Sequence, residues 1–156
     1  LEDACGIEGV PATARVDYRR FEKLAISCRE RHKHARSLEH YQTALAKLEA
    51  AFPSERGLVG SLVGSIGLVF KEQRDFEQAE EWLKRALKVK EQALGTDHVN
   101  LAFTHTDLGN TYSILGKVED AREHLDRALQ LRRAALAPTD PLLATSLGNL
   151  ARVYNM

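Results

Sequence analysis

The chain has 156 residues, 44% of them hydrophobic and 28% charged, with 22 Lys and Arg balancing 22 Asp and Glu. That length supports one hydrophobic core or a short array of stacked repeats, and the hydrophobic content excludes a chain disordered throughout. A zero formal net charge leaves no overall field to draw it onto nucleic acid or an anionic membrane. The longest uncharged run, residues 57–70, falls short of the ~20 residues that a membrane-spanning helix needs.

Residues 1–14, with Gly6, Gly9 and Pro11, show no sustained periodicity and are expected to be a flexible lead-in. From there apolar and small residues recur every three or four positions in paired blocks separated by short polar turns such as Gly116-Lys117. The pattern predicts helices near 15–31, 34–51, 57–72, 76–93, 98–114, 118–135 and 141–155, hence an all-α chain of roughly seven helices. Pro53, Pro138 and Pro141 fall in the connections, where a missing N–H and a fixed φ are tolerated. Cys5 and Cys28 are too few for a disulfide framework or a four-ligand zinc site and read as reduced thiols.

One period runs through these blocks. Leu108-Gly109-Asn110-Thr111-Tyr112 matches Leu150-Ala151-Arg152-Val153-Tyr154 at an offset of 42, and the same step backwards reaches Ile66-Gly67 and Phe70, then Leu24-Ala25 and Cys28. Ala79, Leu83, Ala86 and Leu87 fall on Ala121, Leu125, Ala128 and Leu129, and on Ser37, Tyr41, Ala44 and Leu45. Each unit is therefore a helical hairpin, and stacking hairpins buries what one alone cannot. Small residues in the first helices (Ala25, Gly67, Gly109, Ala151) and near the starts of the second (Ser37, Ala79, Ala121) mark where helices cross closely.

Leu108-Gly109-x-x-Tyr112 followed by Ala121-x3-Leu125 and Ala128 resembles the tetratricopeptide repeat. The 42-residue step and the linker Leu94-Gly95-Thr96-Asp97-His98-Val99-Asn100-Leu101-Ala102 are similar to kinesin-light-chain-type repeats. The resemblance covers residues 16–156. It departs from the pattern in the first unit, where Cys28, His32 and Ser37 replace Tyr, Gly and Ala, and in the second, where Arg74 replaces the turn Gly. It implies an α–α superhelix, or TPR solenoid, of about three and a half hairpins: units near 15–52, 57–94 and 98–136, and a half unit at 141–156.

Little in the chain suggests catalysis. The run Gly57, Gly60, Gly64, Gly67 lacks both a following Gly-Lys-Ser/Thr and a preceding strand, so it does not read as a phosphate loop. Register places Gly60 on Ala102 and Gly67 on the close-contact position, leaving Gly64 to be explained. His32, His34 and His40 straddle a turn, and His98, His105 and His124 are scattered, so no metal site is expected. Asp97 is expected to help start the following helix by accepting from its free N–H groups. No nucleophile triad or carboxylate pair has supporting spacing, so the chain is expected to be non-catalytic, without a cofactor. Alternating charges on the second helices, as in residues 80–85 and 122–127, read as solvated faces, with Trp82 packed between hairpins.

The resemblance also implies a peptide-binding groove lined by the first helices. By register its positions are Arg19, Glu22, Lys23 and Ile26; Ser61, Gly64, Ser65 and Leu68; Phe103, Thr106, Asp107 and Asn110; and Thr145, Gly148, Asn149 and Arg152. Lys23, Ser65, Leu68, Phe103, Thr106, Asp107, Asn110, Thr145, Asn149 and Arg152 are the expected contacts, with Asn110 and Asn149 foremost because an amide both donates to and accepts from a peptide backbone. Glu22, Ile26, Ser65, Phe103 and Asp107 occupy the places of a carboxylate clamp's basic and amide residues, which disfavours recognition of a chaperone tail. The centre around Gly64 and Ser65 is expected to be shallow and uncharged, suited to a peptide with a small or apolar middle. A protein- or peptide-binding module is thus the leading expectation, and a scaffold segment that self-associates through helix ends or the convex face is the alternative. The resemblance points to the cytoplasm, with cytoskeletal association a finer expectation. The closing segment Ser146–Met156 reads as the first helix of a fourth hairpin cut from a longer array, leaving Leu150, Val153 and Tyr154 without a neighbour and open to homo-oligomer contacts.

Overall fold

In the computed structural model the backbone is described from residue 12 and side chains from residue 17, both to residue 156. Seven α-helices account for the secondary structure there: α1 (Ala12–Glu30), α2 (His34–Ala51), α3 (Arg56–Glu72), α4 (Phe76–Leu94), α5 (Leu101–Ile114), α6 (Val118–Ala135) and α7 (Pro141–Tyr154). The reading of residues 1–11 as a lead-in lies outside the described residues. Residues 12–14 of that segment belong to α1.

The three hairpin turns share one backbone device, which is why the register holds through them. His32, Arg74 and Gly116, spaced by 42 residues, all have left-handed φ, at 54°, 65° and 74°. The next amide in each turn reaches back to the fifth residue before it. Lys33 N donates to Cys28 O (2.8 Å), Asp75 N to Phe70 O (3.0 Å) and Lys117 N to Tyr112 O (2.9 Å). This closure satisfies carbonyls that the ending helix leaves free. Glycine suits the position, whereas His32 and Arg74 each carry a Cβ there at a cost of about 1 kcal/mol. At the following helix start, Asp75 caps α4 by accepting from Gln78 N at 3.2 Å.

The linker into α5 differs from the sequence expectation. The helix begins at Leu101 rather than at residue 98, because Leu101 N and Ala102 N first close tight turns onto His98 O and Val99 O. Asp97 does not serve the helix start. Its carboxylate accepts from Arg127 Nη2 at 2.6 Å, while His98 Nδ1 accepts from Asn100 N at 3.1 Å. A guanidinium in reach offers a charged donor, which outcompetes a lone backbone amide.

Two compact units divide the chain at Glu55 and Arg56. In the first, α1 packs on α2 around Tyr18, Ala25, Tyr41, Ala44, Leu48 and Phe52. Ser37 fits the narrow crossing and donates its buried hydroxyl to Ala25 O at 2.8 Å. His40 tilts against Phe21, with ring centroids 6.1 Å apart.

In the second unit α3–α4 and α5–α6 are hairpins, α4 packs on α5, and α6 packs on α7. Leu83, Leu108, Tyr112, Leu125, Leu129 and Val153 form its main apolar cluster. The small crossing positions are real constraints: a Cβ on Gly67 would sit 2.9 Å from Leu83 Cγ, and one on Gly109 would sit 2.6 Å from Leu125 Cγ. Ala151 at the same register is exposed, because α7 lacks a following helix to cross among the described residues. Of the three residues expected to lie open, Leu150 and Val153 are buried against α5 and α6, whereas Tyr154 is exposed and is joined by Leu147.

Within its own hairpin Trp82 stacks on Phe70, with centroids 6.4 Å apart, and the Arg85 guanidinium lies 5.3 Å from its ring centroid. The charged face of α4 is also less solvated than its alternating signs suggest. Glu80 is largely buried and accepts from both Lys84 (2.5 Å) and Lys117 (2.7 Å). Burial raises its carboxyl, but those two ammonium groups outweigh it and hold the pKa below the usual value.

Candidate functional site

Within the second unit the first helices follow one another, α3 against α5 and α5 against α7. Their outward side is crossed by polar contacts between repeats. Lys71 Nζ on α3 donates to Asp107 Oδ1 on α5 at 2.6 Å, with both side chains about one-quarter exposed. One repeat further, Arg152 Nη2 on α7 donates to Asn110 Oδ1 at 2.7 Å and reaches Asn149 Oδ1 at 3.5 Å. Asn110, Asn149 and Arg152 are therefore brought together, and the guanidinium occupies the amide oxygens that were expected to accept from a peptide.

A second pair of basic residues enters from the second helices. Lys90 Nζ donates to Thr104 Oγ1 at 3.0 Å, and 42 residues later Arg132 Nη1 donates to Ser146 Oγ at 2.5 Å. In the first unit the register of Lys90 and Arg132 falls on Leu48, an apolar residue that makes no such bond. Burial lowers the pKa of both Lys90 and Arg132, opposed in each case by the charge of Asp107. Lys71 pairs with Asp107, whose charge also acts on Lys90 and, together with that of Asp140, on Arg132, so three cations face two carboxylates. Arg132 also lies over the ring of Phe103, 5.2 Å from its centroid, and half of the Phe103 surface stays open to solvent.

This revises the expectation of an uncharged centre. A Cβ on Gly64 would lie 3.8 Å from Lys90 Nζ, so the bare backbone there adjoins an ammonium group. Ser65, Thr106 and Thr145 turn their hydroxyls onto their own helices, donating to Ser61 O (3.1 Å), Ala102 O (2.8 Å) and Pro141 O (3.1 Å). Each retains only acceptor capacity for a ligand. Leu68 is half-buried. Lys23 belongs to the first unit, exposed on α1, where it lines a recess of about 500 Å³ with Arg19, Arg20 and Leu24.

Sequence reasoning missed Lys71, Lys90 and Arg132. The available signal was register: Lys90 and Arg132 stand where the first unit has Leu48, a basic residue twice at an otherwise apolar position.

The tetratricopeptide-repeat family model matches residues 14–91, 58–124 and 111–156, together almost the whole chain. The chain belongs to the tetratricopeptide-repeat family. Its repeats are of the kinesin-light-chain type. Kinesin light chain-related protein 2 of Arabidopsis thaliana is 27% identical over 149 residues, covering 94% of this chain and 22% of that protein. BtubC (BKLC) of P. vanneervenii superposes with a TM-score of 0.82 at 25% identity, covering 91% of this chain and 57% of that one. A Podosopora anserina protein with nearly identical TPR-like repeats gives a TM-score of 0.78 at 18% identity, over 94% of this chain and 68% of that one, a likeness of fold alone. The tetratricopeptide-repeat chain spans about a fifth of the length of the first of these relatives. Its fold class is the all-α TPR solenoid, and among its described residues no helix is long and apolar enough to cross a membrane.

Proposed function

We propose that this chain is a non-catalytic module that binds an extended, acidic segment of a partner protein along the α3–α5–α7 surface. It acts as an array of hairpins near 15–52, 57–94 and 98–136 with a half unit at 141–156. The observation that carries this reading is the placing of Lys71, Lys90 and Arg132 where the charge of Asp107 acts on all three, beside a Phe103 ring left half open. Lys71 and Lys90, both partly exposed, attract and orient an acidic segment, while the buried guanidinium of Arg132 backs the open Phe103 ring that supplies an apolar contact. Asn110, Asn149 and Arg152 extend the same surface: a ligand carboxylate can take Arg152 from the amides and leave both free to bond peptide groups. Ser65, Leu68, Thr106 and Thr145 contribute shape and acceptors, and Lys23 serves the first unit separately. The named relatives support a cytoplasmic, cytoskeleton-associated setting.

The test is affinity capture with the whole chain, followed by competition with short peptides from the captured proteins. Arg152→Ala and Phe103→Ala should each weaken a captured acidic peptide by about 1–3 kcal/mol with helicity unchanged. Unchanged affinity in both, or equal binding of a charge-reversed peptide, removes the proposal.

Self-association is the second reading, favoured by Leu147 and Tyr154, which are 46% and 60% exposed on α7. Sedimentation should then show concentration-dependent dimers that Leu147→Asp abolishes. A monomer at all concentrations excludes it. Leu150 is unsuitable for that test, because a charge there would enter the core.

A further inference from the structure

Phe103, Asp107 and Asn110 follow one another at four- and three-residue spacing along one side of α5. Each meets a basic group from a different neighbouring helix: Arg132 of α6 lies over Phe103, Lys71 of α3 donates to Asp107, and Arg152 of α7 donates to Asn110. Asp107 is the one acid among the three, and the repeat does not call for it, since the same register holds Lys23, Ser65 and Asn149 in the other units. Stability does not call for it either. Both side chains of the Lys71–Asp107 pair are about one-quarter exposed, and a pair that reaches solvent contributes little. A carboxylate in the middle of a surface that otherwise offers cations is explained by recognition.

We propose that Asp107 is the specificity-determining residue of this surface: it excludes negative charge from the middle of the bound segment and so fixes the register in which an acidic partner lies. This role rests on the acidic-segment reading above and adds which position of the segment must be uncharged. A segment crossing from α3 over α5 to α7 meets Lys71 and Lys90 on the α3 side, Asp107 on α5 and Arg152 on the α7 side. The charges run positive, negative, positive. Acidic residues at either end of the segment each find a cation, whereas one in the middle is set against a carboxylate.

Two features make the exclusion effective. Lys71 Nζ holds Asp107 Oδ1 at 2.6 Å, so the carboxylate cannot turn away from an approaching acid without abandoning its ammonium partner. Its charge also acts on Lys90 and Arg132, which weakens their pull on a second negative group placed beside it. Asp140, the other carboxylate acting on Arg132, is committed elsewhere, since its Oδ1 accepts from Leu142 N at 2.9 Å at the start of α7. An ionised carboxylate is acceptor-only and has lone pairs to spare after one bond. Asp107 therefore favours a hydrogen-bond donor opposite it: the partner carries acidic residues on either side of an uncharged, donating middle such as Ser, Thr, Asn or Gln.

Two hexapeptides of equal composition and charge separate the positions: Glu-Glu-Gln-Gln-Glu-Glu, uncharged in the middle, and Gln-Glu-Glu-Glu-Glu-Gln, uncharged at the ends. Fluorescence anisotropy at low salt with the whole chain should show wild type binding the first about fivefold more tightly. Asp107→Asn and Asp107→Ser install what Asn149 and Ser65 place at the same register. Each should bring the two peptides within about twofold of one another, chiefly by raising affinity for the second. A lost ion pair that merely loosened the fold would weaken both peptides together. Equal binding of the two peptides by wild type would overturn the proposal even if neither variant folds, and so would a preference that survives in a helical variant. If neither peptide binds wild type or a helical variant, the acidic-segment reading itself falls and this role falls with it.

Discussion

Gly109→Ala and Gly64→Ala make the same chemical change in the middle of two equivalent first helices, yet the structure gives them opposite signs. At Gly109 the added Cβ would meet Leu125 Cγ at 2.6 Å, Leu125 Cδ2 at 2.9 Å and the backbone oxygen of Ala121 at 3.1 Å. Leu125 is 1% exposed and belongs to the main cluster, and the Ala121 oxygen is part of α6, so neither can yield without moving a helix. Overpacking of this kind costs about 1–3 kcal/mol, and more where backbone must shift, against about 1 kcal/mol gained in helix propensity. A net loss of about 1–2 kcal/mol is expected. At Gly64 the nearest atoms are Ala86 Cβ at 3.6 Å and Lys90 Nζ at 3.8 Å, an ordinary contact. Nothing there opposes the propensity gain, so Gly64→Ala should stabilise by about 1 kcal/mol. Both residues lie in the Arg56–Met156 unit and report on the same transition. Urea unfolding followed by far-UV circular dichroism should separate the two variants by about 2–3 kcal/mol around wild type. If Gly109→Ala proves as stable as wild type, or Gly64→Ala less stable, the crossing argument fails.

The turn geometry predicts that Arg74→Gly stabilises by about 0.5 kcal/mol, because it relieves a Cβ at φ 65° while losing only an exposed side chain. Gly116→Ala, at φ 74°, should cost about 1 kcal/mol, and thermal melts of both variants check the pair. Burial first, then the His124 and Arg127 charges, lowers the His105 pKa from 6.5 to about 4. Between those values the unfolded chain holds a proton that the native state refuses, so stability falls as pH drops from about 6.5 to 4 and this loss ends below 4. Allowing for solvent screening, it amounts to about 1–2 kcal/mol. Urea midpoints against pH should show this slope in wild type and a flatter one in His105→Val, which installs the residue that the second hairpin has at the same register.

The hairpins were legible because the 42-residue register repeats contacts as well as letters. Gly67 and Gly109 are small for the reason their spacing suggests, each facing a leucine one hairpin turn away. His32 and Arg74 could be marked as departures from glycine, and both turn out to adopt the glycine conformation. Boundaries were less legible where two partners compete for one group. Asp97 has the composition of a helix-starting residue, but the choice between a backbone amide and Arg127 depends on a helix 30 residues later in sequence. Burial of α7 was misread for a related reason. An unpartnered helix suggests an open face, but which of Leu147, Leu150 and Val153 it exposes is set by its angle on α6.

The candidate surface was half legible, and the missing half has one cause. Register identifies residues on the first helices that point outward, and so it finds Asp107, Asn110, Asn149 and Arg152. It says nothing about long side chains that reach that surface from behind. Lys90 and Arg132 sit on second helices at a position that is apolar in the first unit, and a reader of pattern alone assigns them to packing. Their stems do pack, since Lys90 Cγ would meet a Cβ on Gly60 at 2.6 Å, while the ammonium group travels on to Thr104 and the neighbourhood of Gly64. The glycine that helix crossing leaves unexplained is therefore tied to the lysine. A side chain at residue 64 would stand against the charged end of Lys90, and its absence leaves that end closer to whatever lies on α3. Gly64→Leu accordingly distinguishes the two roles of the site: it should leave helicity intact while lowering affinity for an acidic peptide by about 1 kcal/mol or more. An affinity equal to wild type would show that Lys90 serves only to hold α4 against α5.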